Sequence, residues 1–139
     1  MTETFTCSIE VPAPPETVFD YFIDAKLLVS WIGDYAVLDA QPGGEFTLNI
    51  EGIPVRGQYL EVVAGKRIVV SWGHAGSETL PPNSTRVQFT LTATDDGGTL
   101  VEVEHQDLPD EHLPSHRIGW PMFMDRLHHT TSQQNRKPE

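Results

Sequence analysis

Strict alternation of apolar and polar residues within residues 35–105 constrains the fold of this 139-residue chain more than any other feature of its sequence. Residues 46–50 and 87–91 place an apolar residue at every second position, and residues 101–105 place Val101, Val103 and His105 there. In a strand, this period puts all the apolar side chains on one face. The alternation therefore predicts a sheet with one packed face and one solvated face, as antiparallel sheets allow.

The remaining pattern predicts the order of the elements. Residues 4–11 also alternate and form a first strand, after which Pro15 suits the first turn of a short helix and Asp24 suits the N-cap of a second one. Gly-rich and polar breaks divide residues 35–105 into six strands, and breaks this short join antiparallel neighbours. We therefore predict an α+β fold, in the order β-α-α-β-β-β-β-β-β-α, with a curved seven-stranded antiparallel sheet around a long C-terminal helix.

The last helix is predicted from apolar residues that recur at three- and four-residue intervals between residues 113 and 127. Pro121 falls in its middle and predicts a kink or a break, because proline removes one helical hydrogen bond. Residues 130–139 are polar and lack this periodicity. We expect one domain over residues 1–129, followed by a flexible polar tail over residues 130–139.

The predicted order of elements also predicts an internal cavity. An apolar sheet face needs a cover, which the amphipathic last helix supplies, but a strongly twisted sheet curls away from a helix in the middle. Rings, a methionine and two histidines would line the remaining space, and few of these groups are polar. The predicted lining residues are Trp31, Phe46, Trp72, Phe89, His105, His116, Trp120 and Met124. Each of the three tryptophans could equally be an ordinary core residue.

Composition argues against several classes of partner. The formal charge is −11 with only nine Lys and Arg residues, so contact with nucleic acid or an anionic membrane is unfavourable. No apolar run is long enough for a membrane span, and the first residues do not resemble a secretory signal. Cys7 is the only cysteine and cannot form an internal disulfide, which fits a reducing, cytoplasmic location.

The histidines leave two interpretations open. His105 on the inner sheet face and His116 on the helix could transfer a proton, or both could be hydrogen-bonded side chains at the rim of the cavity. His112 and His116 have a spacing that can hold a metal ion, but no third ligand has a clear position. We therefore predict no metal, no cofactor and no identifiable catalytic residue.

Six strings occur in the order APPETVFDYFIDAKLLVSWIG, PGGEF, GQYLEV, STRVQFTLT, DDGGTLVEVEHQDLP and HRIGWPMFMDRL. In this order they resemble the SRPBCC, or START-like, superfamily, and most closely the family named for the C-terminal domain of an activator of a heat-shock-protein ATPase. The resemblance implies the helix-grip fold of the birch-pollen-allergen type over nearly the whole chain. It carries no catalytic motif, because proteins with this fold differ widely in function.

Three hypotheses for function follow. The first is a protein that binds a small hydrophobic or aromatic molecule without catalysis. The second is a cyclase- or hydrolase-type enzyme that uses the cavity histidines. The third, implied only by the resemblance, is a co-chaperone-like module with a chaperone as its partner. A homodimer is also considered.

Overall fold

A computed structural model describes residues 2–135 of the chain, with the side chains of residues 3–132. Its elements follow the predicted order. They are β1 (Thr2–Val11), α1 (Pro15–Ile23), α2 (Ala25–Leu28), β2 (Tyr35–Leu38), β3 (Glu45–Ile50), β4 (Ile53–Val63), β5 (Arg67–Trp72), β6 (Thr85–Ala93), β7 (Thr99–Pro109), a one-turn 3-10 helix (Asp110–His112) and α3 (Leu113–Asn135).

The seven strands form one antiparallel sheet in the order β1-β7-β6-β5-β4-β3-β2. The first strand therefore pairs with the last one, and Phe5 lies opposite His105 in that ladder. Val101, Val103 and His105 are buried, whereas the intervening Glu102 is exposed, as the alternation predicts. The predicted helix-grip fold is confirmed, with α3 packed on the inner face against β1.

The two short helices close one end of the sheet. Asp24 caps α2 as predicted, because its carboxylate accepts from the backbone N–H groups of Lys26 and Leu27. Two buried hydrogen bonds then tie α1 to its surroundings: Trp31 Nε1 donates to the Tyr21 carbonyl at 3.0 Å, and the Tyr59 hydroxyl donates to the Phe22 carbonyl at 2.8 Å. These side chains are therefore committed to the scaffold.

Helix α3 differs from its prediction in two ways. It continues past Pro121, so of the two predicted alternatives, a kink or a break, the break is not found. Pro121 and Arg117 are both exposed, so the Arg117 carbonyl that loses its helical partner can be hydrated. The helix also continues to Asn135, beyond the predicted boundary at residue 129, and the buried Thr131 hydroxyl donates back to the Leu127 carbonyl at 2.8 Å. Residues 136–139 of the predicted tail lie outside the described residues.

Within residues 2–135, no helix combines the length and the apolar character needed to cross a membrane.

Candidate functional site

The predicted central cavity is almost completely filled by its own lining. Trp31, Phe46 and Phe89 are each at most 4% exposed and pack as core residues. Phe89 lies 6.4 Å from Trp31 and 5.8 Å from Trp120, measured between ring centroids. The void that they border with Trp72 measures about 10 Å³, which is no more than the space of one water molecule. The large internal cavity expected from the sequence is therefore not found here.

Met124, the other predicted apolar lining residue, is 1% exposed and belongs to the same core. It borders neither the small void nor the open cleft described next. Its thioether fills space under α3, which is the usual role of a flexible side chain in an irregular core.

An open cleft of about 170 Å³ lies where α3 passes the β3–β4 hairpin. The hairpin contributes Ile50 and Ile53, and the end of β5 contributes Trp72 followed by His74. The wall on the α3 side consists of Ser115, His116, Gly119, Trp120 and Phe123. Of the predicted lining residues, the structure brings Trp72, His116 and Trp120 together at this cleft.

Sequence reasoning missed the hairpin isoleucines, His74 and Phe123. Ile53 directly follows a turn and is 45% exposed. An exposed apolar side chain can mark a binding site, but its exposure is known only from the structure. His74 follows β5 in a segment that the sequence analysis treats only as a break between strands. Its position beside α3 depends on the tertiary fold.

His105 is buried in a hydrogen-bonded chain that determines its tautomer. The Thr85 hydroxyl donates to the Trp72 carbonyl at 2.8 Å, so it must accept from His105 Nε2, also at 2.8 Å. His105 Nδ1 is then free to accept from Trp120 Nε1 at 3.1 Å. Burial, with smaller contributions from the nearby His116 and His74, lowers the pKa of His105 to about 3.

The hydrogen bonds to Thr85 and Trp120 identify His105 as a structural residue. Both ring nitrogens are occupied, and a proton added to Nδ1 would face the N–H of Trp120, which is itself a donor. A general acid or base must exchange its proton with the substrate near neutral pH. His105 has no free ring nitrogen to offer a substrate, and its pKa lies far below neutral pH. An enzymatic role for the cavity histidines would therefore rest on His116 alone.

His116 lies at the edge of the cleft with a defined tautomer as well. Its Nδ1 donates to the His112 carbonyl at 2.7 Å, so the neutral ring keeps a lone pair on Nε2. Burial lowers the pKa of His116 and that of His74, and neighbouring imidazoles lower both further, while the hydrogen bond to the His112 carbonyl offsets part of the shift at His116. Neither ring is therefore expected to carry a charge at neutral pH.

The structure brings His74 to the pair that the sequence noted for metal binding. Its ring centroid lies 6.2 Å from that of His112 and 6.4 Å from that of His116. However, His112 Nε2 already bonds the Thr79 hydroxyl at 2.7 Å, and no group of three or more ligating side chains among the described residues could hold a metal ion. The cluster is a set of packed imidazoles beside the cleft.

One polar atom near the cleft lacks a partner. Among the described buried side chains, only Trp72 Nε1 makes no hydrogen bond. Trp31 and Trp120 both use their indole N–H groups. An unpaired buried donor is uncommon in folded proteins and calls for a specific explanation.

Two larger grooves do not share these properties. One, of about 360 Å³, lies beside Pro12 and the Thr94–Gly98 turn, and the other, of about 320 Å³, crosses the solvated face of β1, β7 and β6. Polar side chains such as Gln88, Thr90 and Glu102 line much of the second groove. The cleft at α3 is smaller but has the convergent rings that ligand sites usually show.

Several solved structures have the same fold, although the proteins are described in different functional contexts. MLL2253 from Mesorhizobium loti is 20% identical with a TM-score of 0.84, covering 99% of this chain and 100% of its own. DynU16, from the dynemicin biosynthetic locus, is 19% identical with a TM-score of 0.83, covering 96% of this chain and 49% of its own. PFC0360w, an HSP90 activator from Plasmodium falciparum, is 22% identical with a TM-score of 0.76, covering 93% and 96%.

No curated protein sequence matches this chain significantly. The model of one protein family, described as activator of Hsp90 ATPase homolog 1-like protein, matches residues 12–132. That match spans α1, the sheet from β2 to β7 and most of α3. The chain therefore belongs to the activator of Hsp90 ATPase homolog 1-like family.

Proposed function

We propose that this protein binds a small, uncharged apolar or aromatic molecule in the cleft between the β3–β4 hairpin and α3. The observation that carries the proposal is the composition of the cleft wall: rings and isoleucines surround about 170 Å³ of open space. Such a wall favours an apolar ligand because binding removes apolar surface from water. DynU16, which shares the fold, comes from a biosynthetic locus, and this supports a small-molecule role.

The electrostatics of the cleft support an uncharged ligand. Its lining residues include no Lys, Arg, Asp or Glu, and both histidines have lowered pKa values. A carboxylate in the cleft would find no cation, in a chain whose formal charge is −11. An anionic ligand would therefore lose hydration without gaining a partner.

The test uses a matched pair of variants on β4. Ile53 and Leu60 are both large apolar side chains, 45% and 42% exposed, but only Ile53 lines the cleft. A panel of aromatic and aliphatic probes is titrated while the tryptophan emission of the protein is followed, to which the cleft residues Trp72 and Trp120 contribute. We expect Ile53→Ser to weaken binding by about 1 kcal/mol, or roughly fivefold, and Leu60→Ser to leave it unchanged.

Two results would contradict the proposal. One is that no probe changes the emission or raises the melting temperature of the wild-type protein. The other is that Ile53→Ser and Leu60→Ser weaken binding equally, since the effect would then come from general surface apolarity.

A second candidate function is interaction with a chaperone of the Hsp90 type. The family description and the HSP90 activator among the similar structures support it. So does an apolar pair on the outer surface of α3, where Ile118 is 73% exposed and Met122 is 42% exposed. Exposed apolar side chains one helical turn apart can dock on a partner.

The chaperone candidate is tested with a purified Hsp90-type chaperone. We expect this protein to raise the ATPase rate of the chaperone, and Ile118→Ser to reduce the increase several-fold while Leu60→Ser does not. No change in the rate, or equal effects of the two variants, would count against it. The homodimer considered from the sequence stays a prediction that light scattering can check.

A further inference from the structure

His116 has an unused hydrogen-bond acceptor that a solvent molecule can reach. Its Nδ1 donates to the His112 carbonyl at 2.7 Å, so the lone pair of the neutral ring is on Nε2. Nδ1 is the only ring nitrogen of His116 that bonds any described residue. Among the described buried side-chain atoms, only Trp72 Nε1 lacks a partner, so Nε2 of the half-buried His116 must be accessible. It can therefore accept a hydrogen bond from a molecule outside the protein.

The rings around His116 leave the cleft as the route to this acceptor. His74 stacks on the His116 ring, with centroids 6.4 Å apart and an angle of 14° between the planes. His105 and His112 lie edge-on to the same ring, at 5.1 Å and 6.4 Å. Of the cleft, the interior void and the two larger grooves, His116 borders only the cleft. A ligand held in the cleft is therefore in position to meet Nε2.

The lining of the cleft selects the kind of donor that can pair with His116. It includes no carboxylate, so a cationic donor such as an ammonium group would lose hydration without a counter-charge. A hydroxyl group donates without carrying charge and also accepts. The neutral ring of His74, which lines the cleft too, carries one N–H that could bond the hydroxyl oxygen. A neutral hydroxyl is thus the donor that fits this lining best.

We propose that the ligand carries a hydroxyl group that donates to His116 Nε2, so that the ligand class is a neutral phenol or aromatic alcohol. This inference rests on the proposed function and adds the polar group that orients the ligand. The rings of Trp120 and Phe123 in the cleft wall favour an aromatic body. A phenol has an ordinary pKa of about 10, far above that of a half-buried imidazole, so the proton stays on the phenol oxygen and both partners remain neutral.

The experiment compares 2-naphthol with 2-methylnaphthalene, in which a methyl group replaces the hydroxyl. The measured quantity is the ratio of the two dissociation constants from calorimetric titration, because a general change of cleft shape affects both probes alike. His116→Phe keeps a flat ring and removes the acceptor. It should reduce the relative preference for 2-naphthol about fivefold, as expected for the loss of one hydrogen bond. His129→Phe, on the exposed side of α3 and outside the cleft, should leave the ratio unchanged.

A spectroscopic measurement on the wild-type protein makes the test independent of how well the variants fold. The chain has six histidines, whose ring nitrogens are observed separately in ¹⁵N-labelled protein. Binding of 2-naphthol should move the His116 Nε2 resonance upfield, because its lone pair then accepts a proton donor, and 2-methylnaphthalene should move it much less. His105 serves as the internal control, since both of its ring nitrogens are already bonded.

The outcomes separate this inference from the proposed function. The hydroxyl assignment would be overturned, and the apolar cleft left intact, by an equal ratio in wild type and His116→Phe or by an Nε2 resonance that 2-naphthol does not move. Binding of other probes in the panel without binding of 2-naphthol would have the same meaning. Absence of binding by both naphthalenes and by the whole panel would overturn the proposed function, and the hydroxyl assignment with it.

Discussion

Gly119 offers a substitution that should move stability and binding in opposite directions. It lies inside α3 and lines the cleft. A Cβ added there would meet only Phe123 Cε2, at 3.7 Å, which is ordinary van der Waals contact. Alanine is favoured over glycine in a helix interior by about 1 kcal/mol. We therefore expect Gly119→Ala to raise the melting temperature by roughly 3 °C, a typical shift for a domain of this size.

The same methyl group occupies space at the wall of the cleft. Filling a well-packed site with an extra carbon costs about 1 to 3 kcal/mol, so we expect a ligand that contacts this wall to bind at least fivefold more weakly. Gly119→Leu should block binding completely, because leucine keeps a high helix propensity while filling more of the cleft. Thermal unfolding measures the first effect, and titration followed by tryptophan emission measures the second.

His129→Ala provides the control for helix propensity, since His129 is exposed on α3 and does not line the cleft. It should raise stability slightly without changing affinity. The reasoning would be refuted if Gly119→Ala lowered the melting temperature. Unchanged affinity in both Gly119 variants would likewise show that no ligand approaches this part of α3.

Three further outcomes are expected. Thr85→Val should lower the free energy of unfolding by about 1 to 3 kcal/mol in urea titration, because it leaves the buried His105 Nε2 without its acceptor. A loss below about 0.5 kcal/mol would contradict the hydrogen-bonded chain. The pKa of His105 is lowered from 6.5 to about 3, so the unfolded chain binds more protons than the folded protein between these two pH values. The contribution of His105 to stability should be complete above pH 6.5 and fall by about 2 kcal/mol at pH 5. A free energy of unfolding that stays constant from pH 7 to pH 5 in chemical denaturation would refute the shift. Pro121→Ala should raise the melting temperature, with a gain of about 1 to 3 kcal/mol, because it restores a helical donor to the Arg117 carbonyl; a lower melting temperature would show that the proline ring packs favourably.

The behaviour of α3 shows why a helix end is difficult to place from sequence. The apolar periodicity stops near residue 127, yet the helix runs to Asn135. Thr131 continues it by burying its side chain and bonding the Leu127 carbonyl, although threonine has no strong helix preference of its own. Pro121 is the converse case, since its local penalty does not interrupt the helix when the freed carbonyl faces water.

The candidate site was predictable only in part. Trp72, His116 and Trp120 follow from the inner-face pattern, and all three line the cleft. His74 does not, because it lies outside any periodic segment and meets α3 only through the path of its loop. From the sequence alone, Trp31, which is buried in the core, could not be distinguished from Trp72, which borders the cleft.

The sequence alone established the strands, their buried face and the order of elements, because apolar periodicity and the Gly, Pro and polar breaks depend only on residues close together in the chain. Whether the inner face leaves room for a ligand was decided only by the tertiary structure. That question depends on how the volumes of rings such as Trp31 and Phe89 add up across elements distant in the chain. The partners of polar atoms are decided in the same way: Trp120 finds His105, fifteen residues earlier, whereas Trp72 Nε1 finds no acceptor within the described residues.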